Sequence, residues 1–105
     1  MSAARSLLIG DREIDLAGLA DTCRRFGVIE LAAFGSTVRD AAPRDSDIDL
    51  LYVMAPDRRL GFAVDRLEDE LAELFGRRVD LVSKRSLHPL LQDEVLAEAR
   101  MLYAA

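Results

Sequence analysis

The chain has 105 residues and a formal net charge of −5, and 50% of its residues are hydrophobic. This length allows one hydrophobic core, so we expect residues 1–105 to form a single domain. The hydrophobic share argues against a disordered chain, and no apolar run approaches the roughly 20 residues of a membrane-spanning helix. The negative charge argues against direct nucleic-acid binding, which needs a basic face for the phosphates.

The N-terminal segment and the cysteine content bear on the cellular compartment. The apolar residues Leu7, Leu8 and Ile9 are followed at once by a polar run, so they are too few for a signal peptide. A single cysteine cannot form an internal disulfide. We therefore expect a cytoplasmic protein that does not associate with membranes.

The first regular element is predicted to be a helix that follows a polar, extended lead-in over residues 1–13. Asp15 is a typical N-cap for a helix running to about Phe26, where Gly27 would end it. Its apolar positions recur at helical spacing and predict one buried stripe: Leu16, Leu19, Ala20 and Cys23. Because Cys23 belongs to this stripe, we expect a buried apolar residue rather than a reactive thiol.

Three apolar segments, residues 28–34, 47–54 and 77–83, predict strands. A helix ending at Phe75 should lie between the second and third strands. Its apolar positions predict a buried stripe, and its acidic residues a solvated face: Val64, Leu67, Leu71, Leu74 and Phe75 in the first set, and Asp65, Glu68, Asp69 and Glu73 in the second. Pro89 suits the first turn of a last helix, which an apolar tail follows. The pattern predicts an α/β (or α+β) fold, a small mixed sheet of three or four strands with helices mainly on one face.

The segment between the first two strands carries the signal for chemistry; residues 34–51 read FGSTVRDAAPRDSDIDLL. Alternate residues of a strand share one face about 6.6 Å apart, so Asp47 and Asp49 point the same way. Neighbouring carboxylates repel, and a hard cation such as Mg²⁺ relieves that repulsion. Gly35 and Ser36 are suited to phosphate, because a glycine allows close backbone approach and the next N–H groups can receive an anion.

Two further residues have more than one interpretation. Asp80 lies between hydrophobic residues of the third predicted strand, and by itself this alternation also fits a half-exposed strand with Asp80 in water. Arg39 either contacts phosphate or forms an ion pair with a neighbouring aspartate. His88 precedes Pro89 and is interpreted as a surface or packing residue.

These residues resemble the signature of the nucleotidyltransferase superfamily, to which DNA polymerase beta belongs. That signature is Gly-Ser, about ten residues, Asp-x-Asp on a strand, and a third carboxylate on a later strand. Here it is Gly35-Ser36, Asp47-Ile48-Asp49 and Asp80. The chain is most similar to the minimal nucleotidyltransferases (MNT), the antitoxin half of HEPN/MNT toxin–antitoxin pairs. It departs from the common Gly-Ser-x-Ala-Arg-Gly pattern where an aspartate, residue 40, replaces the last glycine.

The resemblance implies an enzyme and its site. Asp47, Asp49 and Asp80 would hold two Mg²⁺ ions about 4 Å apart. Gly35, Ser36 and Arg39 would bind the triphosphate of ATP. The expected reaction transfers AMP to a tyrosine hydroxyl of a HEPN ribonuclease toxin, which silences the toxin.

Two other classes of function stay open from the sequence. In one, the chain blocks the toxin by binding alone, and the acids are vestigial. In the other, it modifies a small molecule, as aminoglycoside nucleotidyltransferases do. A single small domain argues against the second class, because such enzymes need further walls to enclose the drug.

Overall fold

The computed structural model describes residues 6–9, 12–35 and 47–105. In chain order the elements are β1 (Ser6–Ile9), β2 (Arg12–Asp15), α1 (Leu16–Phe26), β3 (Val28–Phe34), β4 (Ile48–Met54), α2 (Val64–Phe75), β5 (Val79–Ser83), α3 (Pro89–Glu98) and β6 (Arg100–Ala104). Single 3-10 turns occur at Gly61–Ala63 and Lys84–Ser86. None of these helices is both long and apolar enough to cross a membrane.

A four-stranded mixed sheet in the order β5-β4-β3-β6 forms the centre of the fold. Strand β3 pairs antiparallel with both β4 and β6, whereas β4 and β5 are parallel. Parallel neighbours require a crossover, and α2 supplies it between β4 and β5. Strands β1 and β2 form a separate antiparallel pair. The predicted mixed α/β architecture is confirmed.

The core lies between the sheet and the helices α1 and α2, which also pack against each other. Asp15 caps α1 as predicted, since its side chain accepts a hydrogen bond of 3.1 Å from the Ala17 amide. Gly27 ends α1 with a φ of 81°, the left-handed conformation that favours glycine. The stripe predicted for α2 is buried at its centre, where three side chains have no exposed surface: Leu67, Leu71 and Phe75.

Two segments differ from the sequence-based expectation. The lead-in is a pair of strands, β1 and β2, and the apolar tail is strand β6 on the outer side of β3. Leu102 and Tyr103 of β6 pack against the core, which explains why this short segment pairs with β3 instead of remaining a tail. His88 also has a definite role, because its Nδ1 accepts a hydrogen bond of 3.1 Å from the Leu90 amide and caps α3.

The buried thiol of Cys23 leads to a test of the core. Burial raises the pKa of Cys23 to about 12, against a weaker lowering by Arg24. Because the thiolate is the reactive form, we expect iodoacetamide at about pH 8 to leave the native protein unlabelled and to label it fully in denaturant. The raised pKa also means that this residue's contribution to stability is intact below the ordinary thiol pKa of 9.0 and is lost as pH rises towards 12. Fast labelling of the native protein would contradict this burial.

Candidate active site

The parallel pairing of β4 and β5 places two of the predicted acids side by side. Asp49 is the register partner of Asp80, on strands that typically lie about 4.8 Å apart. Asp47 precedes β4 directly, and the Ile48 amide donates a 2.9 Å hydrogen bond to the Arg78 carbonyl that aligns the starts of the two strands. Asp47 lies two positions before Asp49, so the three acids lie at one end of the sheet.

These carboxylates interact electrostatically. Asp49 is half-buried, whereas Asp47 and Asp80 are exposed. Burial raises the pKa of Asp49, and the negative charges of Asp80 and Asp47 raise it further. A cation bound among the three carboxylates would lower this repulsion.

Gly35 lies against the most enclosed of these acids. Its φ is 65°, and a Cβ added to it would lie 2.9 Å from Oδ2 of Asp49. The contact follows from the strand register, because Asp49 is paired with Phe34, the residue before Gly35. Glycine is therefore favoured here both by the left-handed backbone and by the space available. Ser36 and Arg39 lie outside the described residues, so their phosphate contacts stay predictions.

The donor set fits magnesium. Carboxylate oxygens are the ligands that Mg²⁺ prefers, and the backbone places three carboxylates at one sheet end. Among the described residues, no three Asp, Glu, His or Cys side chains converge closely enough to hold one ion. Asp47 Oδ1 instead lies 4.0 Å from Nε of Arg78, a weak pair because that arginine side chain is 89% exposed. Rotation about the aspartate side-chain torsions can re-aim the carboxylates on this backbone.

A depression of about 320 Å³ opens beside the acids, between α2 and β5. It is lined by Asp47, Glu68, Asp69, Ala72, Arg78, Val79 and Asp80. The sequence placed Glu68 and Asp69 only on a solvated helix face and assigned no role to Arg78. Their position beside the acids depends on how α2 packs on β5, and the spacing within one helix does not reveal which strand end it will face.

The sequence relationships agree with this geometry. Residues 5–102 match the nucleotidyltransferase domain family. The protein adenylyltransferase MntA of Thermococcus cleftensis is 45% identical over 74 residues, which are 70% of this chain and 74% of that protein. A solved structure of an inferred minimal nucleotidyltransferase is 43% identical with a TM-score of 0.67, and the match covers 80% of this chain and 84% of that one.

Chains from two toxin–antitoxin structures share the fold. One comes from a toxin–antitoxin crystal structure with AMP-PNP; it is 25% identical with a TM-score of 0.67, covering 86% of this chain and 73% of the other. The second comes from a tri-AMPylated Shewanella oneidensis HEPN toxin in complex with an MNT antitoxin; it is 23% identical with a TM-score of 0.59, covering 86% and 70%. The family match spans nearly the whole chain, and this protein belongs to the nucleotidyltransferase family, as an enzyme of the minimal type.

Proposed function

We propose that this protein is an antitoxin that transfers AMP from ATP to a tyrosine hydroxyl of a cognate HEPN ribonuclease toxin and thereby neutralises it. The observation that carries the proposal is the register of β4 with its two neighbours: pairing with β5 sets Asp49 beside Asp80, and pairing with β3 sets it against Gly35. The similarity to a protein adenylyltransferase and to chains of toxin–antitoxin complexes supports the choice of reaction and partner.

In this proposal the acids and the glycine have different roles. Asp47, Asp49 and Asp80 would hold Mg²⁺, which supplies positive charge that offsets the phosphates. Gly35 has no side chain and lies against Asp49, so its backbone could approach the triphosphate closely, and we assign the outer phosphates to Ser36 and Arg39. This arrangement would position the α-phosphorus of ATP at the exposed end of β4 and β5.

The transfer step itself is a substitution at phosphorus. The tyrosine oxygen attacks the α-phosphorus, a new O–P bond forms, the bond from the α-phosphorus to the bridging oxygen breaks, and pyrophosphate leaves. Asp80 is exposed, so it can reach a hydroxyl on a second protein and accept its proton. The added phosphate brings negative charge to the toxin and would repel an RNA backbone from a nearby active site.

The surface position of the acids explains why a partner is needed. Asp47 and Asp80 are exposed, and the depression beside them is lined only by residues of α2, by the start of β5 and by Asp47. A nucleotide bound here would remain partly open to solvent. We therefore assign part of the wall of the working site, as well as the acceptor, to the toxin.

The test is incubation of the protein with ATP, Mg²⁺ and a HEPN-domain protein from a neighbouring reading frame of the same genome. We expect mass spectrometry to find the toxin heavier by one or more AMP groups on tyrosine, and its ribonuclease activity to fall in step. Omission of ATP serves as the control. Inhibition that is equally strong without ATP, with no gain in mass, would contradict transfer and favour an antitoxin that acts by binding. ATP consumption with a hydroxylated small molecule but not with the toxin would favour a small-molecule enzyme.

A further inference from the structure

A second cavity lies at the opposite end of the same two strands. Its volume is about 420 Å³, and it is found where β4 and β5 end. It is lined by Tyr52, Val53, Met54, Pro56, Arg58, Arg59, Leu60, Gly61, Val64, Ser83 and Arg85. At about 3.3 Å per strand residue, the length of β4 separates this cavity from the acids by about 20 Å. The wall of the cavity combines apolar side chains with polar atoms, and its charged residues are all arginines.

Two of these three arginines form no ion pair or hydrogen bond within the described part of the chain. Arg58 donates a 3.2 Å hydrogen bond to the Arg25 carbonyl and packs over Gly27, so it has a structural role. Arg59 and Arg85 are exposed, and neither has a hydrogen-bond or ion-pair partner among residues 6–9, 12–35 and 47–105. Two uncompensated positive charges at one cavity are notable in a chain of net charge −5. They favour an anionic occupant.

A large aromatic side chain projects into solvent beside this cavity. Phe62 is 103% exposed, in the 3-10 turn that begins at Gly61 with a φ of 51°. The two residues that flank the turn, Leu60 and Val64, line the cavity. Exposed aromatic residues and arginines are the types enriched at the centres of protein–protein interfaces. A small molecule held in the cavity would leave Phe62 in water, whereas a protein partner would cover it.

We propose that Arg59, Phe62 and Arg85 form a docking surface for an acidic segment of a partner protein that also carries apolar side chains. The arginines would form ion pairs with the carboxylates of this segment. Phe62 and the apolar residues of the cavity wall would contact its hydrophobic side chains. A nucleic acid fits less well. It needs a continuous basic face for its phosphates, whereas this surface offers two exposed arginines on a chain of net charge −5.

Under the proposed function, the partner that docks here is the protein substrate, the toxin. Specific interfaces bury about 800 Å² per partner, which is broad enough to cover both ends of a strand about 20 Å long. A toxin anchored at the docking surface could therefore present its acceptor hydroxyl at the acids. This last step rests on the proposed function, but the docking itself does not.

The test uses the full chain without ATP or Mg²⁺, so its result is independent of transfer. The probe is a fluorescent peptide of about eight residues in which glutamate and leucine alternate, about 26 Å long when extended, and binding is followed by fluorescence anisotropy. We expect Arg59→Glu and Arg85→Glu each to weaken binding by about tenfold or more, as the loss of a charged contact would. Phe62→Ser should weaken it as well. Arg24→Glu, an equal charge change at an exposed residue that does not line the cavity, should bind like the parent chain.

Three outcomes would overturn the docking surface. The first is no binding of the acidic peptide by the parent chain, and the second is equal binding by the Arg59 and Arg24 variants. The third is tighter binding of a single-stranded oligouridylate of similar length, which would identify the occupant as nucleic acid. Because the mutated residues are exposed, unchanged thermal unfolding of the variants will show that any loss of binding is local.

Discussion

Replacing Asp49 with asparagine is expected to abolish AMP transfer and to stabilise the metal-free protein. Asparagine keeps the shape of the side chain but removes the charge that would help to hold Mg²⁺. We expect transfer to fall by at least about 10²-fold, the scale of losing one electrostatic contact to a transition state. Transfer is measured by mass spectrometry of the toxin, and stability by urea unfolding with and without Mg²⁺.

The stability gain follows from the direction of the pKa shift. The pKa of Asp49 is raised in the folded protein by burial and by the charges of Asp80 and Asp47. Its contribution to stability is therefore present at low pH and is lost as pH rises through the folded pKa. At neutral pH the ionised carboxylate destabilises the metal-free fold, so the asparagine variant should unfold at a higher urea concentration. Mg²⁺ should stabilise the parent chain more than the variant.

Asp65→Asn provides a matched control, because Asp65 lies exposed on α2 and is not among the residues around the acids. It should change neither transfer nor the response to Mg²⁺. If Asp49→Asn instead lowers the stability of the protein while its folded fraction still transfers AMP, Asp49 is a structural residue. The role assigned to the sheet end would then be wrong.

Gly35→Ala is expected to damage both the fold and the site. The φ of 65° costs a residue with a side chain about 1–2 kcal/mol. In addition, the new methyl group would lie 2.9 Å from Oδ2 of Asp49, so either the carboxylate or the strand end has to move. We expect a lower midpoint of urea unfolding and a loss of transfer larger than the loss of folded protein explains.

Gly61→Ala separates these two effects. Gly61 also has a left-handed φ, 51°, but a Cβ added there meets nothing within 4 Å. It should therefore show the backbone cost alone in unfolding, with transfer close to that of the parent chain when toxin is saturating, because Gly61 also lines the docking cavity. If the two alanine variants lose transfer equally, the contact between Gly35 and Asp49 has no special importance for the reaction.

The two ends of β4 illustrate how one scaffold can carry opposite charges. Its amino end holds acids that suit a cation and a nucleotide, and its carboxyl end opens onto arginines that suit an acidic protein segment. Charges of opposite sign separated by about 20 Å are screened from each other at physiological salt, where the Debye length is about 8 Å. Each end can therefore attract its own ligand without neutralising the other.

Local chemistry in the sequence was enough to predict the helices and most strands. Asp15 and Gly27 lie at the two ends of α1, and Gly76 ends α2. These ends are predictable because capping and left-handed termination depend on one or two residues. Strand β3 agrees with its predicted range, and β4 begins one residue later than predicted. The pairing of β1 with β2 was missed although Gly10-Asp11, a pair typical of hairpin turns, follows the apolar segment Leu7–Ile9; the segment after it, Arg12–Asp15, has only one apolar residue and gave no strand signal.

Pairing between distant segments could not be predicted in this way. The alternation of Asp47 and Asp49 on one face is a property of the sequence, because side chains of a strand alternate wherever the strand lies. That Asp80 stands beside Asp49 depends on the parallel register of β5, which the packing of α2 across the sheet brings about. The grouping of Arg59 with Arg85 likewise joins residues from two loops that meet only where β4 and β5 end. The register of the strands and the proximity of the loops depend on burial of the whole core. They are therefore properties of the tertiary structure and not of any single segment.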